Sequence, residues 1–453
     1  MQNLLTERNF RTRVEALGRD RVSPAHRAMY LWGILNCTLV WIQQIFNWAL
    51  NPIGAQKYIY ASMVAWLLVA LWTSRIVVRI PLAIGVILVM QVWFTVCSMH
   101  AASTIARTSV LNGMDILLPV YVLCFLQAQA LVWMAPESRR FIGRLVIPVC
   151  VISGIVALAQ FKGVGPAIQY SNLVRQAEIV FDFSGTGEIV RAPGLHANIG
   201  TAISFGTMCM LMMSVVLFFR PFKWWEMGSI GILLLSTLLV QVRNQLLVIG
   251  LTVLWVGYLI TKKYKFGGIT FSTATLGLLG VYLVQNRDAF GYLFQGGTGT
   301  LDYRRLALWP QAYNILDQRP IFGIGIEPGF AGWTTQLLPN KWVTERLMDN
   351  GWLLAAAFGG YPGLGLMVLT VLTAFIAATI HALKPSEDVW HLAFKFAVLS
   401  SVIFFATGMF WGTLWANPIN TSFYFIIAGL AMPSDSRLFP AKFVPHFRRH
   451  DED

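Results

Sequence analysis

The chain has 453 residues, of which 56% are hydrophobic and 12% charged. A soluble domain carries roughly 25% charged residues, so the composition excludes an ordinary soluble enzyme and points to a protein solvated by lipid. The net charge of +13 does not argue for a nucleic-acid partner, because the basic residues gather at the borders of apolar runs rather than on a polar face.

At the N-terminus, Arg8, Arg11, Arg13, Arg19, Arg21 and Arg27 precede the first apolar stretch. They predict a cytoplasmic anchor over residues 1–28, and no small-residue cleavage site follows to suggest a removable signal. Hydropathy then predicts membrane-crossing helices near 29–50, 58–74, 80–98, 111–134, 145–162, 197–219, 227–241, 245–261, 268–285, 350–380, 395–412 and 418–433. Many windows of about 18–22 residues lack charge, such as those from Met29 to Leu50 and from Ala197 to Phe219, and these are long enough to cross a hydrocarbon core of about 30 Å. The expected fold is therefore an all-α polytopic integral membrane protein of about 12 transmembrane helices, its membrane domain covering 29–433, with a tail at 434–453.

With the N-terminus inside, most of the 34 basic residues fall in inner connections, among them Arg79, Arg139, Lys384 and Lys395. Both termini are then cytoplasmic, in a bacterial inner membrane. Residues 227–261 are apolar except for Gln241, Arg243, Asn244 and Gln245. One straight helix of that length would extend about 52 Å, so the polar residues predict a turn at the outer surface.

Two outer, periplasmic connections are long. The first, about 163–196, holds Arg175, Asp182 and Arg191, with a turn at Ser184–Gly187. The second, about 286–349, is the largest polar segment and lies between the ninth and tenth spans. The five cysteines lie in apolar runs without metal-ligand spacing and read as small packing residues.

Ionisable residues look scarce inside the spans, Asp115 being the one acid near a span interior. That argues against an ion-coupled transporter. Arg191, Arg243, Arg304 and Arg305 are instead expected to converge at the outer surface. Guanidinium groups match phosphate oxygens in bidentate geometry, so a lipid diphosphate is a fitting ligand. The same arginines also fit plain ion pairs with Asp302, Glu327 or lipid headgroups.

Four blocks in this region resemble a known family. Arg305-Leu-Ala-Leu-Trp309 followed by Pro320-Ile-Phe-Gly323-Ile-Gly325 is similar to the R-x-x-x-W and P-x-x-G-x-G signature of the O-antigen ligase and Wzy polymerase superfamily. Asp349-Asn350-Gly-Trp-Leu, with Gly359-Gly-Tyr-Pro-Gly363, resembles its (H/D)-N-x-x-L and G-x-x-G segment. Arg191-Ala-Pro-Gly194 and Arg243 resemble earlier blocks.

The resemblance implies a GT-C-like glycosyltransferase without metal or other cofactor, acting on the periplasmic face. Its donor would be an undecaprenyl-diphosphate-linked oligosaccharide and its acceptor a growing glycan, with membrane lipids and a chain-length regulator as further partners and no nucleic acid. The product would be an exopolysaccharide or O-antigen. Arginines can stabilise a departing diphosphate without a metal. The one Asp-x-Asp triplet, Asp451-Glu452-Asp453, ends the tail.

Ligases of the family carry His where this chain has Asp349, and many polymerases carry Asp, which favours the polymerase. Asp349 then has two readings, general base or helix N-cap. Asn350, Trp309, Glu327 and the four arginines complete the candidate substrate contacts. Glu327 and His196 are further base candidates, each with a structural reading as ion-pair partner or interfacial cap. Tyr303, Tyr313, Trp333 and Trp342 have the rings to stack on sugars and equally the character of interfacial aromatics. A ligase transferring finished glycan to lipid A core or protein is the nearest alternative. A lipid-linked oligosaccharide flippase or exporter is the alternative of another class.

Overall fold

The protein was analysed as a computed structural model. The structure describes residues 24–45, 55–74, 79–104, 120–175, 192–196, 199–218, 224–240, 243–264, 267–285, 309–325, 350–408 and 418–434. The described residues form fourteen helices and no β-sheet.

In chain order these are α1 (Pro24–Ile45), α2 (Ala55–Ser74), α3 (Leu82–Thr104), α4 (Val120–Met134), α5 (Ser138–Phe161), α6 (Gly165–Arg175) and α7 (Ile199–Phe218). They continue with α8 (Trp224–Leu239), α9 (Arg243–Tyr264), α10 (Gly268–Gln285), α11 (Trp309–Gln318), α12 (Gly351–Leu383), α13 (Val389–Gly408) and α14 (Pro418–Leu430). Twelve of them occupy the twelve apolar stretches. Four are long and apolar enough to cross a membrane, covering Leu82–His100, Ser138–Phe161, Gly351–Leu383 and Val389–Thr407. Shorter apolar helices include Val120–Met134 and Trp224–Leu239. Large apolar side chains such as Trp72, Leu82 and Leu278 face outward. An exposed apolar surface beside such helices is what a hydrocarbon solvent requires, and the chain is an all-helical, membrane-embedded protein.

Helices α6 and α11 sit where hydropathy gives only loops. Both open on a proline in the first turn, Pro166 and Pro310, where the missing N–H costs nothing. In α11, Ala312, Ile315 and Leu316 are buried while Tyr313, Asp317 and Gln318 are exposed. That i, i+3, i+4 stripe packs against α12 and is too short and too polar for a membrane window to register.

Helix α13 is the central element. It packs on α5, α7, α9, α12 and α14, and 72% of its apolar window is buried against 28% for α12. Around it, the rings of Trp41 (α1), Phe205 (α7) and Phe423 (α14) meet at centroid distances of 4.6, 5.3 and 3.9 Å. Trp66 of α2 is fully buried and donates its indole N–H to the Met29 carbonyl at 2.7 Å. All five cysteines are buried in this helix packing.

Helix α12 is broken. Gly360 has φ 65° and ψ −166°, a region open only to glycine, and Pro362 follows with no N–H to donate. The part from Tyr361 to Leu383 is about 34 Å long at 1.5 Å per residue, enough on its own to cross a bilayer core. The part from Gly351 to Gly359 is largely buried in protein. Non-helical backbone at such depth persists only where protein covers it.

Candidate functional site

The broken helix and the Pro320–Gly325 block form one unit. Helical pairing across Gly360 would give the Ala357 carbonyl to Tyr361 N–H and the Phe358 carbonyl to residue 362, which is proline. Instead, Ile324 N–H donates to Ala357 O at 2.9 Å and Gly325 N–H to Phe358 O at 3.0 Å. Tyr361 N–H turns to the Pro320 carbonyl at 2.8 Å. The Ala357 and Phe358 carbonyls and the Tyr361 amide are thereby satisfied by the docked segment.

Close approach dictates the residue types. A Cβ on Gly323, at φ 57°, would collide with the Ala357 carbonyl, and one on Gly360 with the carbonyls of Pro320 and Ile321. Helix α3 braces the same unit. Trp93 donates its indole N–H to Gly359 O at 2.9 Å and stacks on Phe322 at 5.6 Å, while Phe94 fills the space beside Gly359 and Gly363.

Asn350 caps α12. Its Oδ1 accepts from Trp352 N–H at 3.0 Å and Leu353 N–H at 3.1 Å. The cap reading weighed for Asp349 therefore belongs to its neighbour, because the oxygen that reaches the first-turn N–H groups is that of Asn350. Trp309 is the first residue of α11 and is half-buried.

The Arg191-Ala-Pro-Gly194 block is a second backbone dock. Ala192 N–H donates to Leu239 O, at the end of α8, at 3.1 Å. The Gln160 side chain of α5 both accepts from Gly194 N–H and donates to Gly194 O, each at 2.9 Å. Ser153 Oγ accepts from Leu195 N–H at 2.9 Å. Arg191 is the residue before Ala192, and Arg243 opens α9 four residues after Leu239. The Ala192–Leu239 bond thus ties the residue after Arg191 to one four residues before Arg243.

His196 ends this dock. It is buried, lies 5.1 Å from the Phe205 ring, and its Nδ1 meets no partner among the described residues. Burial pushes its pKa down to about 4. It lines a void of about 10 Å³, room for one water. Neither a solvated general base nor an interfacial cap looks like this, so both readings of His196 are corrected by its burial.

Arg191, Arg304, Arg305, Glu327 and Asp349 lie outside the described residues, as do Asp115, Asp182, Asp302, Tyr303, Trp333, Trp342 and the side chain of Arg243. The same holds for residues 1–23 and 435–453 and for most of the two long connections.

A buried polar cluster lies elsewhere in the fold. Arg139 of α5 and Lys395 of α13, which charge placement assigns to inner connections, are 0% and 1% exposed. Arg139 donates to Glu387 Oε2 at 2.7 Å, to Leu430 O at 2.8 Å and to Met432 O. Glu387 Oε1 accepts from Ser434 N–H at 2.7 Å. Lys395 Nζ donates to the carbonyls of Lys384 and Pro385 and to Ser386 Oγ, placing its charge at the carbonyl end of α12.

His381 and His391 both donate from Nε2 to Ala431 O at 2.8 Å, and His391 Nδ1 accepts from Glu387 N–H at 3.2 Å. A ring that accepts at one nitrogen and donates at the other is neutral. His391 and Lys395 are one helical turn apart on α13, and Glu387 lies in the connection just before it.

Between this cluster and the α12 break lies a cavity of about 500 Å³, walled by α3, α4, α12, α13 and α14. Helices α3 and α12 run antiparallel here, since Phe94 meets Gly359 and Gly363 while Met90 meets Thr370. The lining is almost wholly apolar, including Ala374, Ala377, Ala378 and Val402, with Lys384 and His381 at one end and Phe94 at the other. The Gln91 amide borders it and finds no hydrogen-bond partner among the described residues.

No protein-family model matches the chain, and no curated protein matches it as a relative.

Proposed function

We propose that this protein is a glycosyltransferase that polymerises undecaprenyl-diphosphate-linked oligosaccharide repeats into exopolysaccharide or O-antigen at the periplasmic face of the bacterial inner membrane. Arg305, Arg243, Arg191 and Arg304 hold the donor diphosphate as negative charge grows on it. Asp349 takes the proton of the acceptor hydroxyl. Trp309, Asn350 and Glu327 complete the substrate contacts. The bond broken joins the sugar anomeric carbon to the diphosphate, the bond formed joins that carbon to the acceptor oxygen, and lipid diphosphate leaves.

The observation that carries this reading is that two described segments within the blocks resembling the O-antigen ligase and Wzy polymerase superfamily, Ala192–Gly194 and Pro320–Gly325, are backbone docks. The Ala192–Leu239 bond adjoins Arg191 and, four residues on, Arg243. The docking of Pro320–Gly325 on α12 and the packing of α11 against α12 join the chain that follows Arg305 to the helix that follows Asp349. Rigid anchoring beside the reactive groups is what preorganised charge stabilisation requires. The N-cap of α12 is Asn350.

The test is lipid-linked sugar analysis in a strain lacking the protein, complemented with wild type, Arg305→Ala or Asp349→Ala. Accumulated single repeats without the protein and with both variants support the polymerase. Long lipid-linked polymer that fails to reach its final acceptor supports the ligase instead. Unchanged chain length with both variants removes the transferase reading. An oligosaccharide translocator needs a polar path, and among the described residues the cavity beside α12 is lined mostly by apolar side chains.

A further inference from the structure

We infer that the cavity walled by α3, α4, α12, α13 and α14 is a binding site for one acyl chain of an anionic membrane phospholipid, with the headgroup seated at its Lys384 end. Three observations point there. The lining is apolar over a length of about 20 Å, from Pro81 to Phe94 along α3 at 1.5 Å per residue, which is the shape of a hydrocarbon chain rather than of a sugar. Among the described residues no carboxylate lines it, and the one formal charge is the exposed Lys384. Arg79, also exposed, lies two residues before Pro81 at the same end, so the mouth is positive.

Of the two acids that follow Lys384 in the chain, Glu387 is engaged by Arg139 and Ser434 and Asp388 accepts from His391 N–H. The identity of the lipid follows from position. Lys384 closes the C-terminal end of α12 and Asn350 caps the opposite end. A donor whose diphosphate reacts beside Asn350 cannot also place that group at Lys384. The occupant is therefore a resident phospholipid rather than the donor, a choice that rests on the proposed transferase site.

Its consequence is conformational. Phe94, which closes the cavity, also fills the space beside Gly359 and Gly363 at the α12 break. A chain filling the cavity presses on the side chain that braces the break.

The experiment uses the purified full-length protein in detergent, titrated with phosphatidylglycerol, phosphatidylcholine or undecaprenyl phosphate. Unfolding temperature and native mass spectrometry are read together. Phosphatidylglycerol is expected to raise the unfolding temperature more than phosphatidylcholine does, and to be retained on the protein. Ala374→Phe, which fills the cavity, abolishes the shift, and Lys384→Gln weakens phosphatidylglycerol about fivefold, the usual effect of one lysine at an anionic headgroup.

Equal shifts from the two phospholipids overturn the inference. So does an Ala374→Phe protein that keeps the shift, or displacement of phosphatidylglycerol by equimolar undecaprenyl phosphate. Should Ala374→Phe fail to fold, lipid retention by wild type against Lys384→Gln decides alone: unequal retention of phosphatidylglycerol sustains the site, and equal retention removes it.

Discussion

Arg139 and Glu387, 248 residues apart in the chain, meet at 2.7 Å where α5, the α12–α13 connection and the end of α14 come together. The guanidinium has no exposure, and its donors are taken by one carboxylate oxygen and two carbonyls. Removing one partner leaves a charge without its counter-charge in a medium that solvates it poorly. Arg139→Gln is expected to cost about 3–5 kcal/mol, while the double variant with Glu387→Gln costs less than the two single changes added. Arg139→Lys does not rescue, because an ammonium cannot span a carboxylate and two carbonyls as a planar fork does. Thermal unfolding of the detergent-solubilised proteins as a double-mutant cycle measures all three.

The dock at the α12 break makes a prediction about backbone. Gly360→Ala places a Cβ in a conformation reserved for glycine and against two carbonyls. Strain of this kind costs about 1–3 kcal/mol before any collision is counted. Gly365→Ala, in the same helix with open space where its Cβ would go, is the control and should be near neutral. Expression level and unfolding temperature of the pair should separate clearly.

Asn350 offers a test of capping against chemistry. Asn350→Ala is expected to lose about 1 kcal/mol, and Asn350→Asp or Asn350→Ser to retain most of it. If polymer synthesis follows the same order as stability across these three variants, Asn350 acts through the helix end alone. Loss of synthesis in a stable Asn350→Asp protein would mean that its amide touches substrate.

His196 gives a pH dependence with a definite sign. Its folded pKa of about 4 lies below the ordinary 6.5. As pH falls from 6.5 towards 4, the unfolded chain takes up a proton that the folded chain refuses, so stability falls, by up to about 3 kcal/mol at pH 4. Above pH 6.5 both states are neutral at this residue and the term vanishes. The difference in unfolding temperature between wild type and His196→Leu should therefore shrink or reverse between pH 7 and pH 5. A constant difference would show that His196 reaches solvent.

The helices were legible because a long apolar run in a charge-poor chain has few other options. The expected 268–285 matches α10, and 350–380 falls within three residues of α12 at each end. Breaks and short helices were less legible. The run Gly359-Gly-Tyr-Pro-Gly363 contains all that is needed to interrupt a helix, yet hydropathy averages across it. The stripe of Ala312, Ile315 and Leu316 is visible only at helical period.

Arg139 and Lys395 stand beside apolar runs, where a basic residue is ordinarily solvated, so their burial left no mark in the sequence. Of the candidate site, sequence pointed to the docks through their glycines and prolines. It could not assign the cap between Asp349 and Asn350, because adjacent residues of equal capping ability differ only in backbone angle. The cavity left no mark at all, since Ala374, Ala377 and Ala378 look the same facing a void as facing a neighbouring helix.

The interrupted α12 also sets an order of assembly. Its freed carbonyls and amide would each cost several kcal/mol if left bare in hydrocarbon, and the groups that satisfy them reside in a segment synthesised earlier. The nascent chain must therefore hold Pro320–Gly325 in readiness when Gly359 and Gly360 arrive, and Trp93 earlier still. A polypeptide cut and rejoined so that α12 emerged ahead of that segment would insert the stretch from Tyr361 onward and leave the first two turns waiting for their partner.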